Sequence, residues 1–230
     1  YSTLDGMSKV PDIVDKCIRT GMPAVALTDH GNMYGIKEFL DYCKSVNQSN
    51  EAKWKETHDA SEPFVPFKPI VGIEAYCAHR SRRSMTSEQA IWPDGVTYQI
   101  DKSGWHLILL AKNELGYRNL CKLTSAGFMD DAFYSRPRID KELLERYHEG
   151  VIACSACLGG EISQKILHGD LSGAEQAVQW FKQVFGEDYY LELQRHQTDK
   201  PNGNQETYQE QLRVNPVLIE LARKYDIKLI

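Results

Sequence analysis

The sequence lacks any apolar run long enough to cross a membrane, and it lacks an excess of positive charge. A transmembrane helix needs about 20 consecutive apolar residues, so we expect no membrane partner. The first residues also lack the pattern of a signal peptide. With 27 Lys and Arg against 32 Asp and Glu, the net charge is −5. This balance excludes a protein that binds nucleic acid mainly through a basic surface, but not an enzyme that meets phosphate through bound metal ions.

Internal repeats, low-complexity tracts and a disulfide framework are also missing. The six cysteines are scattered, mostly in apolar segments where a free cysteine acts as a small hydrophobic residue. Without a secretion signal we expect reduced thiols and a cytoplasmic location. The 230 residues, 42% of them hydrophobic, are typical of a soluble globular protein. Because the sequence starts at Tyr1 and ends on the apolar run 227–230, we expect a fragment of a longer chain.

Helix-like and strand-like segments alternate along the chain, which favours an α/β protein built as one domain over residues 1–230. Repeated βα units predict a parallel sheet with right-handed crossovers. A closed or nearly closed barrel fits the length best, and a doubly wound open sheet is the alternative. A helix is predicted from Met33 to about Val46. The segments 47–66 and 80–100 are polar and unperiodic, so we expect surface excursions there.

Residues that can bind metals lie at the ends of several predicted strands. Functional side chains of a parallel barrel lie at the C-terminal ends of its strands, and Asp, Glu, His and Cys suit zinc and manganese. A helix cap followed by a turn is an equally simple explanation for an Asp-His pair at a strand end. A lone carboxylate among apolar neighbours, however, needs a partner or a metal. The candidates are Asp5, the pair Asp29 and His30, Glu74, His106 and the pair Cys154 and Cys157.

Other patterns have ordinary explanations beside functional ones. Cys154 and Cys157 have the spacing of a redox dithiol, but no Trp or Pro accompanies them. Arg136 and Arg138 could bind phosphate, although a solvated loop explains each of them as well. Four further histidines lie in polar segments or beside glycine-containing turns, and we expect them at the surface: His58, His79, His148 and His168.

Six blocks of the sequence, in this order, resemble one known family. They are YSTLDGMSKV, GMPAVALTDHGNMYGIKEF, KPIVGIEAYCA, HLILLAKNELGYRNLCKL, RPRIDKELLE and VIACSACLGGEI. They are similar to the N-terminal polymerase-and-histidinol-phosphatase (PHP) domain of the alpha subunit of bacterial DNA polymerase III, most closely its Bacteroides-type branch. The resemblance covers nearly all of the chain except 47–66 and 80–100.

The resemblance implies a distorted (β/α)7 barrel, similar to a TIM barrel, with up to three divalent metals at its mouth. Zinc or manganese is expected, with iron as a further option. Five ligand positions of the family map onto Asp5, His30, Glu74, His106 and Cys157. The remaining positions are expected outside this sequence, as a His-x-His pair before Tyr1 and an Asp-x-His pair after Ile230. The resemblance assigns catalysis to Glu74, a bridging carboxylate, and Asp5, and it makes Arg138 a candidate for binding phosphate.

The function implied by the resemblance is a metal-dependent phosphoesterase with 3′–5′ exonuclease (proofreading) activity in DNA replication. The expected partners are DNA at a primer 3′ end, the rest of the polymerase alpha subunit and a separate proofreading exonuclease subunit. Nucleotidyl transfer itself would belong to a domain that follows this one. The alternatives are a catalytically silent domain that stabilises the polymerase or binds the exonuclease subunit, and a stand-alone redox or phosphatase enzyme.

Overall fold

The computed structural model describes residues 2, 6–59, 62–129, 131–200, 203 and 205–230. The helices are α1 (Val10–Arg19), α2 (Ile36–Thr57), α3 (Glu114–Gly127), α4 (Lys141–Tyr147), α5 (Glu161–Leu167), α6 (Leu171–Phe185) and α7 (Glu206–Tyr225). The strands are β1 (Ala24–Leu27), β2 (Lys68–Cys77), β3 (Gln89–Ile91), β4 (Thr97–Gln99), β5 (Trp105–Ala111), β6 (Arg138–Ile139), β7 (Val151–Cys154), β8 (Tyr189–Leu191) and β9 (Lys228–Leu229). None of the helices in these ranges is long and apolar enough to span a membrane.

The main sheet is a curled half-barrel with the strand order β1-β2-β5-β7-β8-β9, and β6 also pairs with β2. This architecture confirms the expected α/β fold of distorted barrel type. The direction of one strand differs from the predicted parallel sheet: β5 runs antiparallel to both β2 and β7. The start of β5 therefore lies beside the ends of its two neighbours.

The core lies between this sheet and the helices that cover it. Alternate residues of β5 point into the core, so that Leu107 and Leu109 are buried. Helices α3, α5, α6 and α7 pack their apolar faces against the same cluster. A second, smaller cluster joins α1 and α2 around Val14 and Phe39.

Helix α3 fixes the end of the sheet opposite the start of β5. Asn113 begins it as an N-cap whose side chain accepts a hydrogen bond from the Gly116 backbone N–H at 3.0 Å. Gly116 lies directly against the chain before β7, because a Cβ atom there would be only 1.7 Å from the Gly150 carbonyl oxygen. Glycine is therefore required at position 116 for this close approach.

The segment 47–66 differs from its predicted form, because α2 continues through Asn47 and ends at Thr57. Nothing between Ile36 and Thr57 breaks a helix, since the segment contains neither proline nor glycine. Glu51 and Lys55 add an ion pair one turn apart. The added turns are largely exposed, so they lack the apolar periodicity by which a helix is recognised.

The segment 80–100 also contains more order than its sequence indicates. Strands β3 and β4 form an antiparallel hairpin, and Trp92 between them is buried. The buried carboxylate of Asp101 accepts hydrogen bonds from Arg80 at 2.6 Å and from Thr86 at 2.6 Å. Burial acts to raise the pKa of Asp101, but these donors hold it below its ordinary value. The carboxylate therefore stays ionised and ties the segment together.

Candidate metal centre

The candidate ligands converge where β2 and β7 end and β5 begins. His106 is the second residue of β5 and pairs with Tyr76 near the end of β2. Because β5 is reversed, a histidine at the start of its strand reaches the same edge as residues at the ends of the other strands. This reversal explains why His106 belongs to the group although it precedes its apolar run rather than following it.

Glu74 is the central residue of the group. Its Oε1 lies 2.6 Å from Nδ1 of His106, and its Oε2 lies 3.3 Å from Nδ1 of His30. The three side chains are largely buried, with 15%, 25% and 29% exposure for Glu74, His106 and His30. One carboxylate thus faces two imidazoles, one from the start of β5 and one from the loop after β1.

Backbone hydrogen bonds hold His30 against β2. The Gly31 N–H donates to the Glu74 carbonyl at 2.8 Å, and the Glu74 N–H donates to the Asp29 carbonyl at 3.1 Å. Gly31 has a φ of 68°, and a Cβ atom there would lie 2.8 Å from Cγ of Pro137. A glycine is therefore needed to turn the chain sharply after His30.

Cys157 reaches the group through a tight turn after β7. Its Sγ lies 3.4 Å from Nδ1 of His106 and accepts a hydrogen bond from the Gly159 N–H at 3.3 Å. The turn includes Ala156 in the left-handed region at φ 63°, a strained conformation of the kind that is concentrated at functional sites. Gly159 packs on the His106 ring, because a Cβ atom there would be 3.0 Å from Nδ1.

The electrostatics of the group favour a positive charge at its centre. The Cys157 sulfur and then the Glu74 carboxylate raise the pKa of His106 to about 9, against the effect of its burial. Glu74, His106 and Cys157 each offer a ligand atom, and these atoms all lie within 4.8 Å of one another. A carboxylate, an imidazole and a thiolate are together a donor set suited to zinc and related divalent ions, so these residues fit a divalent metal ion.

A comparison with known protein families finds that the sequence model of the PHP domain family matches residues 1–196. The chain belongs to the PHP domain family. Among its relatives is a DNA polymerase III subunit alpha from Borreliella burgdorferi, 45% identical over 196 residues, which are 85% of this chain and 14% of that protein. Proteins of the same name from Aquifex aeolicus and Thermus aquaticus are 38% and 35% identical over the whole chain. The chain spans only 14% to 17% of the length of these relatives.

The remaining predicted ligand of this PHP domain, Asp5, lies outside the described residues and stays a prediction. Ser2, close to it in sequence, donates from its backbone N–H and its hydroxyl to Oδ1 of Asp29 at 3.1 and 2.9 Å. The hydroxyl of Ser2 also accepts from the His30 N–H at 3.2 Å. These contacts fasten Ser2 beside His30.

Arg138 has a different environment from the one expected of a phosphate ligand. Its side chain is 0% exposed, and its guanidinium donates to the backbone carbonyls of Asp101 and Arg82 at 2.6 and 2.8 Å. The neighbouring Arg136 is the exposed one, and its guanidinium lies 4.6 Å from the centre of the Tyr76 ring. Because Tyr76 contacts the His106 ring edge-on at 5.4 Å, Arg136 lies one side chain away from the candidate metal ligands.

Cys154 lacks the properties of a redox thiol. It is buried at the end of β7, and desolvation raises its pKa to about 12, whereas reactive cysteines have lowered pKa values. It forms no disulfide, and neither do the five other cysteines. The spacing of Cys154 and Cys157 therefore reflects a turn that delivers Cys157 to His106.

Two histidines that were expected at the surface pack against aromatic side chains instead. His79 stacks on Trp105 with ring centres 3.7 Å apart, and burial lowers its pKa to about 4. His168 stacks on Trp92 and contacts Asp94 at 2.7 Å. Their partners are distant in sequence, so no local pattern indicates these contacts.

Proposed function

We propose that this chain is the PHP domain of a DNA polymerase III alpha subunit and that its metal centre hydrolyses phosphodiester bonds, removing nucleotides from a primer 3′ end. The observation that carries the proposal is the convergence of Glu74, His106 and Cys157, with His30 beside them, at one edge of the sheet. The names of the relatives support the polymerase context. The same proposal covers the whole protein. Other domains of it would carry out nucleotidyl transfer, it would bind a separate exonuclease subunit, and it would be located in the cytoplasm.

The chemistry requires that the centre take up divalent ions, zinc or manganese or iron. When bound, such ions supply a nucleophilic water near neutral pH and neutralise phosphate charge. Glu74 would hold such ions, because its two oxygens face different histidines. His106 and Cys157 would hold them together with Glu74, and His30 would contribute beside them. Asp5 is proposed as a further ligand.

Arg136 is proposed to bind the phosphate of the substrate. Its guanidinium is exposed and held over the Tyr76 ring at 4.6 Å, within one side chain of His106. Arginine binds phosphate well because its planar donors match the oxygens of the anion. This role replaces the one suggested for Arg138, whose donors are occupied by backbone carbonyls.

The experiment compares Glu74→Gln with the wild type in the full-length protein that contains this chain. The measurements are metal content by elemental analysis and digestion of a primer with a mismatched 3′ end. We expect bound ions and digestion in the wild type, and a loss of digestion of roughly 100-fold or more in the variant. Glu114→Gln is the matched control, since Glu114 is exposed on α3 and pairs only with Arg118 among the described residues. It should behave as the wild type.

Two outcomes would contradict the proposal. Unchanged digestion by the Glu74→Gln variant would exclude the proposed role of Glu74. A wild-type protein that neither holds ions nor digests the primer would favour a catalytically silent domain that stabilises the polymerase.

A further inference from the structure

An open cleft with a volume of about 360 Å³ adjoins the metal centre. It lies between the β3–β4 hairpin and the start of β5, and we call it the hairpin cleft. Its walls include the rings of His79, Trp92, Tyr98 and Trp105. At one end it is lined by His106 and Gly159, which also belong to the metal centre. A ligand in the hairpin cleft is therefore next to the candidate metal ligands.

The aromatic walls are held by stacking among themselves. Trp92 stacks on Tyr98 with ring centres 4.5 Å apart and 22° between the planes, and on His168 at 5.0 Å and 10°. His79 stacks on Trp105 at 3.7 Å. Because each ring is fixed by another, the walls are preorganised and little ordering is needed when a flat ligand binds.

The polar groups of the hairpin cleft are few and varied. Gln99 and Gln164 offer amides, and Lys102 is an exposed cation at the rim. Nδ1 of His79 is buried and has no hydrogen-bond partner among the described residues. A cavity of this size with aromatic walls and a few polar groups is typical of a small-molecule subsite. The combination of flat rings, amides and one cation matches a base attached to a phosphate.

We propose that the hairpin cleft binds the base of the terminal nucleotide of a single DNA strand, with its phosphate directed toward His106. The proposal rests on the function proposed above, because it assigns the strand end to the same site. Stacking on aromatic rings tolerates every base, since each base has a flat face. A nuclease that must remove any nucleotide needs this tolerance, which a set of base-specific hydrogen bonds would not provide.

The test measures nucleotide binding without metal, through tryptophan fluorescence. The protein tested is the full-length one that contains this chain, and the quenching that is lost in the double variant Trp92→Phe and Trp105→Phe is the part that reports on the hairpin cleft. The probes are dAMP, dTMP and deoxyribose 5-phosphate in the presence of a chelator. We expect both nucleotides to quench the fluorescence, and the sugar phosphate, which lacks a base, to bind at least roughly ten-fold more weakly.

Variants then locate the binding site. Tyr98→Leu should weaken dAMP binding roughly ten-fold, while Tyr117→Leu, a matched change at an exposed residue of α3, should leave it unchanged. Because Tyr98→Leu could loosen the hairpin, Lys102→Ala provides a second measurement at an exposed position. It should weaken dAMP but not deoxyadenosine, which has no phosphate.

Three results would overturn the proposal: no quenching by either nucleotide, equal affinity for dAMP and deoxyribose 5-phosphate, or unchanged dAMP binding in both variants. A cleft that binds a protein segment instead would give the first of these.

The result of this test can be distinguished from the result for the proposed function. If the primer is digested in a Glu74-dependent way but dAMP does not bind, only the base subsite is wrong. If dAMP binds and no digestion occurs, the proposed hydrolysis is wrong.

Discussion

Replacing Arg138 by methionine should destabilise the protein strongly. The guanidinium donates to the carbonyls of Asp101 at 2.6 Å, Arg82 at 2.8 Å and Ser84 at 3.0 Å, and the side chain is 0% exposed. Hydrogen bonds from charged donors contribute about 1.5–3 kcal/mol each. Methionine fills most of the same volume but leaves these carbonyls without their donor. Allowing for the release of a buried charge, we expect the free energy of unfolding to fall by about 4 kcal/mol.

For a protein of this size the loss corresponds to a fall in Tm of about 8–16 °C, which calorimetry or circular dichroism can measure. The matched control is Arg136→Met. Arg136 is exposed and contacts the Tyr76 ring, an interaction of about 0.5–1 kcal/mol, so its Tm should fall by no more than about 4 °C. On a DNA primer, Arg136→Met should raise KM. If Arg138→Met melts within about 2 °C of the wild type and also raises KM, the structural role assigned to Arg138 is wrong.

Three further predictions concern other parts of the fold. The pKa of His79 is about 4 in the folded protein and 6.5 ordinarily, so protonation favours unfolding between these values, and the contribution of His79 to the free energy of unfolding should be about 2 kcal/mol lower at pH 5 than at pH 7. His106, whose pKa is raised to about 9, acts in the opposite direction by about 1 kcal/mol over the same range. Denaturant titrations at both pH values measure this difference. Gly116→Ala places a Cβ atom 1.7 Å from the Gly150 carbonyl oxygen, and should lower the free energy of unfolding by about 3 kcal/mol in the same assay. Gly159→Ala pushes on the His106 ring and should weaken metal binding roughly ten-fold, measured by competition with a chelator.

Each of these has its own check. The change in the free energy of unfolding between pH 7 and pH 5 should differ by about 2 kcal/mol between His79→Phe and the wild type, and an equal change in both would show that another group is responsible. Ser125→Ala, on the exposed side of α3, should leave the free energy of unfolding nearly unchanged. Equal metal affinity in the wild type and the Gly159→Ala variant would mean that the His106 ring can shift without cost.

Several elements of the fold have causes that are local in the sequence. Asn113 and Asp140 begin α3 and α4 as N-caps, as an Asn or Asp before an apolar helical pattern indicates. The direction of β5 was not predictable in this way. An apolar run of strand length is the same whether the strand runs parallel or antiparallel to its neighbours, and only the pairing along the sheet decides.

In the candidate site, the sequence predicted the metal ligands but not the environment of the arginines or the hairpin cleft. The positions of His30, Glu74, His106 and Cys157 came from the family resemblance, and the structure brings them together. The resemblance made Arg138 the candidate for binding phosphate, whereas the structure buries Arg138 and exposes Arg136. Arg136 and Arg138 are two residues apart, and their exposures differ because of carbonyls contributed by segments far away in sequence. Similarly, the walls of the hairpin cleft are built by ring stacking among residues 79, 92, 98 and 105. These residues are too far apart in sequence for a short sequence pattern to predict their contacts.

The reversed strand also determines where this fold can accept new sequence. Since β2 and β5 are antiparallel neighbours, the chain between them is an enlarged hairpin loop that starts and ends beside the ligands. Lengthening that loop at its exposed turn, residues 93–96 between β3 and β4, would alter what approaches the centre while leaving the strands that carry Glu74 and His106 in register. The rest of the loop must be kept, because its carbonyls at Arg82, Ser84 and Asp101 accept hydrogen bonds from the buried Arg138. An insertion after β5, near Lys112, would project from the far edge of the sheet instead. The fold thus keeps its candidate ligands on fixed strands, and the β3–β4 turn is the place where added sequence would change the surface beside them without disturbing the strand pairing.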